Sequence, residues 1–128
     1  MANKRILRNI FRFEGFLSSF KVALRGIVYL FLYHRNMRIM LLMGIAALLL
    51  GFYLNLKGIE LIALCIAVTL VFMAEIFNTS VELMMDAITE KYHTKIRLVK
   101  DIAAGIVVIA CMNAAVIGYI LFIRRFFK

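Results

Sequence analysis

A chain of 128 residues is long enough for one domain, and its composition places that domain in a membrane. Hydrophobic residues make up 65% of the chain, well above the roughly 45–50% of an average soluble domain. A net charge of +9 would indicate nucleic-acid binding in a soluble protein, but so apolar a chain does not stay in water as a small monomer. The basic residues are therefore interpreted as topology signals and lipid-headgroup contacts, without a nucleic-acid partner.

The first predicted element is a basic amphipathic helix over residues 4–35 that lies on an anionic membrane face. Arginines recur at helical spacing near its start, and phenylalanine, leucine and isoleucine supply an apolar face. A break near Gly26 is compatible with this pattern. A second interpretation stays open: residues 27–33 are apolar enough to pack on the transmembrane helices.

Three transmembrane helices follow, over residues 39–56, 59–86 and 102–123. A tight turn at Lys57-Gly58 joins the first two, and a polar loop over residues 87–100 joins the last two. The predicted fold is therefore an all-α integral membrane protein, with residues 1–128 forming a single domain.

The distribution of basic residues predicts the orientation in the membrane. The first 38 residues contain eight of the 16 Lys and Arg residues, the 87–100 loop contains four, and the remaining four lie at Lys57 and near the C-terminus. The positive-inside rule then puts the N-terminus and the 87–100 loop in the cytoplasm.

Four polar side chains share one stripe of the second predicted span: Glu75, Asn78, Glu82 and Asp86. At 100° per residue they fall within an arc of about 80°. Acids at membrane depth are costly and usually mark pathways or reaction sites. They also lie toward the C-terminal end of the helix, where the macrodipole favours cations. A bound divalent metal is the simplest way to neutralise them.

This set of residues is suited to phosphoryl transfer, which requires positioning, charge neutralisation and a base or orienting group. Glu75 lies deepest and suits proton uptake from an alcohol, whereas Glu82 lies two turns nearer the cytoplasm and suits a metal ligand. Asn78 lies between them and could hold phosphate oxygens. Carboxylates bind Mg²⁺ with help from nucleotide phosphates and water. Lys100 could reach a phosphate and Asp101 lies near the start of the third span, although both also suit a helix cap and an interface anchor.

Several motifs resemble the prokaryotic diacylglycerol kinase and undecaprenol kinase family. They are EIFNTSVELMMD at 75–86, EKYH at 90–93, KDIAAG at 100–105, SFKVALRG at 19–26 and RNMR at 35–38. The likeness covers most of the chain. It implies a small ATP-dependent, Mg²⁺-dependent lipid kinase of the bacterial inner membrane. It further implies a homotrimer with active sites between subunits at the cytoplasmic interface.

The resemblance also implies a role for each matching residue. Glu75 corresponds to the catalytic base, Glu82 to the Mg²⁺ ligand, and Asn78 to a phosphate or metal-shell residue. Further matching positions are Asp86 on the nucleotide side, Lys100 and Asp101 at the phosphate end, and Tyr92 and His93 near the nucleoside. An interfacial aromatic and a solvated loop histidine remain alternatives for the last two.

One position departs from the family pattern. His34, just before RNMR, stands where the family has a glutamate that shares the metal. Imidazole ligates transition metals but is a poor Mg²⁺ ligand. The site would then bind metal with one carboxylate fewer, use a neighbouring acid, prefer Mn²⁺ or Zn²⁺, or be weakened.

The KDIAAG and EKYH motifs look closer to the undecaprenol kinase branch, with diacylglycerol as the alternative acceptor. Two other classes stay open: a small oligomeric ion or proton pathway and an inactive lipid-binding protein. The first is poorly supported because the second span offers only Thr69 as a polar group between Glu60 and Glu75. The small residues Ala110, Ala114 and Gly118 suit either a subunit contact or packing within one chain.

Overall fold

The computed structural model describes residues 13–88 and 94–127. Within them lie four α-helices: α1 (Phe13–Tyr33), α2 (Arg35–Tyr53), α3 (Ile59–Ile88) and α4 (Thr94–Phe126). By length and composition, all four are apolar enough to cross a membrane. The prediction of an all-α protein is confirmed, whereas a surface position for α1 stays a prediction. The chain divides after Arg35 into two compact units, described separately below, and the interpretation as one domain also stays a prediction.

The first unit contains α1, which runs through Gly26 without interruption. The suggested break there is wrong, because a single glycine weakens a helix by about 1 kcal/mol but does not end it. Ser18, Lys21 and Arg25 fall within an arc of about 60° on this helix. An amphipathic surface helix stays a prediction, and residues 4–12 of the predicted element lie outside the described residues.

In the second unit, α2 ends earlier than the predicted span because Asn55 adopts a left-handed conformation, with φ of 55°. The Leu56 amide donates to the Gly51 carbonyl at 3.0 Å and the Asn55 amide donates to the Phe52 carbonyl at 3.0 Å. These two bonds form a Schellman cap, which satisfies the last carbonyls of the helix. The turn therefore begins before Lys57, and Gly58 supplies a second positive φ of 55° at its end.

Two glycines bring α2 close to α3. A Cβ atom added at Gly44 would lie 3.0 Å from Cγ1 of Val68, and one added at Gly51 would lie 2.6 Å from Cδ2 of Leu64. Gly44 and Gly51 are two helical turns apart, so they share one face of α2. At these two positions the missing side chains let Val68 and Leu64 of α3 lie against the backbone of α2.

Helices α3 and α4 form an antiparallel pair with an ion pair at each end. Lys100 contacts Asp86 at one end, and Arg125 Nη2 lies 2.9 Å from Glu60 Oε2 at the other. Between them, Ala103 of α4 is buried and allows close packing. These two ion pairs show the register of α4 against α3, and with it the relative height of the side chains on the pair.

Helix α4 begins at Thr94, within the segment that was predicted to be a loop to residue 100. The prediction was wrong because a run of polar residues was interpreted as a loop, although it contains no glycine or proline before Gly105. With 33 residues, α4 is about 50 Å long and exceeds the roughly 30 Å of bilayer hydrocarbon. The ends of the pair therefore extend into the aqueous interfaces.

The small residues of α4 lie toward other helices of the same chain. Ala110 lines a cavity with residues of α3, and Ala114 and Gly118 line another with residues of α2 and α3. A cavity is space that these side chains do not fill, so a subunit contact and packing within one chain both stay predictions, as does the homotrimer. Large apolar side chains such as Ile59, Met73, Ile109 and Tyr119 are exposed along the helices, as expected for a surface that faces lipid.

Candidate functional site

The polar stripe on α3 changes from buried to exposed along its length. Glu75 is 4% exposed and Asn78 is 8% exposed, Glu82 is half-buried, and Asp86 is exposed. From Glu75 to Asp86 the stripe spans about 16 Å of helix axis. A buried carboxylate at one end and an accessible one at the other give a site that opens toward the end of α3.

Asn78 is linked to Glu82, the next polar residue of the stripe, through its side chain. Its Nδ2 donates a hydrogen bond to Oε1 of Glu82 at 3.1 Å, which fixes the orientation of the amide. Its Oδ1 is buried and has no hydrogen-bond partner. A buried oxygen without a partner is costly, and a hydroxyl, an ammonium group or a metal cation would satisfy it.

The two residues at the phosphate end are engaged with different partners. Lys100 Nζ contacts Asp86 Oδ1 across the helix pair, whereas Asp101 lies 3.7 Å from Arg97 on its own helix. The expectation that Asp101 occupies a helix N-terminus is wrong, because α4 begins seven residues earlier at Thr94. The structure therefore brings Lys100 to the stripe through Asp86 and turns Asp101 toward a neighbouring arginine.

Of the remaining predicted site residues, His34 follows α1 in the first unit. Its backbone amide donates to the Leu30 carbonyl at 2.9 Å, and its ring lies edge-on to Tyr29 with centroids 6.1 Å apart. Tyr92 and His93 lie outside the described residues. Their assignment to the nucleoside stays a prediction.

Within residues 13–88 and 94–127, no three His, Cys, Asp or Glu side chains lie close enough together to hold a metal. Mg²⁺ does not need such a cluster, because it is commonly held by one or two carboxylates together with substrate phosphates and water. The partly exposed Glu82 carboxylate and the unpartnered Oδ1 of Asn78 are both oxygen donors on one helix face. The chemistry of these two oxygen atoms fits such an ion, and Glu82 as its direct ligand stays a prediction.

Sequence reasoning missed Thr79, which is 2% exposed and among the largest fully buried side chains of the described chain. Its position directly beside the stripe could have been found by extending the same helical projection. It also missed Asn113, an exposed amide within the apolar α4. A single polar residue in an otherwise apolar run was the available signal.

The chain is similar to a family of known proteins and to two of its members. The family model for prokaryotic diacylglycerol kinase matches residues 21–122. The chain is 32% identical over 119 residues to a protein named diacylglycerol kinase from Synechocystis, covering 91% of this chain and 68% of that protein. It is also 32% identical over 110 residues to undecaprenol kinase from Bacillus subtilis, covering 86% of this chain and 89% of that protein.

Proposed function

This chain belongs to the prokaryotic diacylglycerol kinase family and is a lipid kinase, and from that premise we propose that its acceptor is undecaprenol. The phosphoryl donor is ATP and the reaction takes place where α3 meets the cytoplasmic interface. The observation that carries the site assignment is the buried Glu75 on one helix stripe with the Asn78–Glu82 pair.

Glu75 is the base in the proposed reaction. Its carboxylate accepts the proton of the lipid hydroxyl as the hydroxyl oxygen attacks the γ-phosphorus of ATP. The bond between the γ-phosphorus and the bridging oxygen breaks, ADP leaves, and the lipid monophosphate remains in the membrane. Burial of Glu75 supports this role, because an apolar surrounding excludes water as a competing acceptor.

The rest of the stripe positions the triphosphate. Glu82 lies about 10 Å farther along the helix axis than Glu75, which leaves room for a phosphate chain parallel to α3. A bound Mg²⁺ would neutralise phosphate charge, with Glu82 as its ligand and Asn78 Oδ1 next to its coordination sphere. Lys100 contacts Asp86 in the structure. When the nucleotide binds, its ammonium group leaves Asp86 and pairs with a phosphate.

Undecaprenol is favoured by the motifs. Identity is 32% to both relatives, and the match covers 91% of this chain for the diacylglycerol kinase and 86% for the undecaprenol kinase, so the extent of the similarity does not separate the two acceptors. The KDIAAG and EKYH motifs resemble the undecaprenol branch more closely. Diacylglycerol is the second candidate, because one of the two relatives carries that name.

A comparison of the two lipid acceptors in parallel assays tests the proposal. The full chain in lipid nanodiscs receives ATP labelled at the γ-phosphate, Mg²⁺ and either undecaprenol or dioleoylglycerol, and label in the lipid fraction is measured over time. We expect a higher kcat/KM for undecaprenol. A higher value for dioleoylglycerol would overturn the acceptor but keep the kinase, and absence of label from both lipids would overturn the activity itself.

A further inference from the structure

Thr79 carries a hydroxyl group that has no role in the reaction described above, although it lies one helical turn from Glu75. The two residues are four positions apart on α3, which places their Cβ atoms about 5–6 Å from each other. Thr79 is 2% exposed, and together with Met37 of α2 it is the largest fully buried side chain in the described part of the chain. Burial of a hydroxyl is costly unless a hydrogen-bond partner satisfies it.

The Thr79 hydroxyl has no such partner within residues 13–88 and 94–127. Its neighbour Ser80 shows the usual solution in a helix, because the Ser80 hydroxyl donates to the Ile76 carbonyl at 2.7 Å. The Oγ1 atom of Thr79 is not among the fully covered polar atoms that lack a partner. It therefore keeps an opening through which an atom of a ligand can reach it.

Thr79 lies on the face of α3 that α2 covers. Its helical position is within about 20° of Val68 and of Phe72, whose side chains lie next to Gly44 of α2. Met37 lies two helical turns before Gly44 on the same face of α2, close to the height of Thr79. The surroundings of the hydroxyl are therefore apolar, as is suitable for the reacting end of a lipid.

Glu75 is thus flanked by two polar side chains of different chemistry. In helical projection Asn78 lies about 60° to one side of Glu75, and Thr79 lies about 40° to the other side. Asn78 is hydrogen-bonded to Glu82, the proposed Mg²⁺ ligand, so its side of the stripe belongs to the nucleotide. The side of Thr79 is left for the second reactant.

We propose that Thr79 binds the lipid acceptor, with its hydroxyl donating a hydrogen bond to the oxygen of the lipid alcohol. The inference rests on the proposed function, in which Glu75 is the base. The alcohol oxygen loses its proton to Glu75, attacks the γ-phosphorus with one lone pair and accepts the Thr79 hydrogen bond with the other. Thr79 keeps its own proton throughout, so it orients the oxygen and takes no part in the proton transfer. Both candidate acceptors carry the hydroxyl that this contact requires.

Removal of the Thr79 hydroxyl tests the contact in the kinetics of the full chain in nanodiscs. Thr79→Val replaces the hydroxyl with a methyl group and should lower kcat/KM for undecaprenol or dioleoylglycerol about 5- to 20-fold, the value of one hydrogen bond. The KM for ATP should not change, because the hydroxyl lies on the side of Glu75 away from Asn78. Initial rates at varied lipid and varied ATP measure both quantities.

Two matched variants separate the hydroxyl from packing. Thr79→Ser keeps the hydroxyl and should retain most of kcat/KM for the lipid. Thr69→Val makes the same change at an exposed position of the same helix and should have no effect. A Thr79→Val protein as active as the parent would overturn the proposal, as would equal losses in Thr79→Val and Thr79→Ser. A higher KM for ATP with unchanged lipid kinetics would assign the hydroxyl to the nucleotide instead.

Lipid binding without nucleotide tests the same contact independently of catalysis. Undecaprenol, or the same hydrocarbon without its hydroxyl, is added to the protein in detergent, and the rise in Tm followed by circular dichroism reports binding. The parent and Thr79→Ser should bind the alcohol more tightly than the hydrocarbon, whereas Thr79→Val should bind both equally. Equal preference for the alcohol in the parent and Thr79→Val would overturn the proposal. A parent that prefers the alcohol but phosphorylates neither lipid would overturn the proposed function and keep the contact.

Discussion

At the scale of single residues, the site depends on how differently its acids are exposed. Glu75 is nearly completely buried on α3, whereas Asp86 on the same stripe is open to solvent. A carboxylate in an apolar surrounding is a strong candidate for proton transfer, and an exposed one for contact with a hydrated nucleotide. Asn78 and Glu82, which are joined by a hydrogen bond, lie between these two acids on the helix.

Replacing Glu75 with glutamine should reduce kcat for lipid phosphorylation by about 100-fold or more, because the amide keeps the shape but cannot accept the proton. The KM for ATP should change little, since Glu75, the proposed base, lies about 16 Å along the helix axis from Asp86 on the proposed nucleotide side. Initial rates in nanodiscs measure both values. The matched control is Glu14→Gln, which makes the same change on α1, outside the stripe, and should keep kcat. A Glu75→Gln protein as fast as the parent would remove Glu75 from the role of base.

His34 gives a prediction about metal preference. If His34 occupies a metal position, His34→Glu should lower the Mg²⁺ concentration for half-maximal activity several-fold, because Mg²⁺ prefers carboxylate to imidazole. The measurement is a Mg²⁺ titration of the initial rate, repeated with Mn²⁺. Asn36→Glu adds a carboxylate at an exposed position two residues away and should not change the requirement. Identical titrations for His34→Glu and the parent would place His34 outside the metal site.

At the scale of helices, the sequence predicted which segments are helical more accurately than the residues at which helices end or the side chains that they contact. Helix α3 was predicted to begin at residue 59 and does, because Gly58 provides the positive φ that separates it from the turn. The end of α2 was missed because asparagine at residue 55 was not recognised as a C-terminal cap.

The stripe was predicted by periodicity alone, but the pairing of Lys100 with Asp86 was not. That pairing depends on the register of α4 against α3, which no local pattern contains. For the same reason, the sequence suggested Asp101 as the companion of Lys100, whereas the structure pairs it with Arg97.

The glycine contact between α2 and α3 predicts a loss of stability. Gly44→Leu should destabilise the helix arrangement by about 1–3 kcal/mol, because the new side chain overlaps the stiff Val68 and Phe72. Thermal unfolding in detergent, followed by circular dichroism, measures the effect as a lower Tm. Gly105→Leu is the control, since a Cβ added there meets no atom within 4 Å. Equal losses at both positions would show that the contact at Gly44 is not specific.

At the scale of the whole molecule, charge and length together determine how the chain crosses the bilayer. Helices α3 and α4 are antiparallel, so Ile88 and Thr94 lie at the opposite end of the pair from Ile59 and Phe126. All four helices are long and apolar enough to cross, including α1. Whether α1 crosses decides on which side the N-terminus lies, because α2 must begin on the side opposite to its end near Lys57.

Labelling of single cysteines tests whether α1 lies on the cytoplasmic face or crosses the membrane. Lys21, Arg25 and Ser18 share one stripe, and burying two cations at membrane depth costs several kcal/mol, so we expect α1 to lie on the cytoplasmic face. In a chain without native cysteines, Ala2→Cys and Thr94→Cys should then react with an impermeant maleimide only in inverted vesicles. Lys57→Cys should react in intact cells. Labelling of Ala2→Cys in intact cells would instead show that α1 crosses the membrane as a fourth span, and the amphipathic stripe would then have to face another helix.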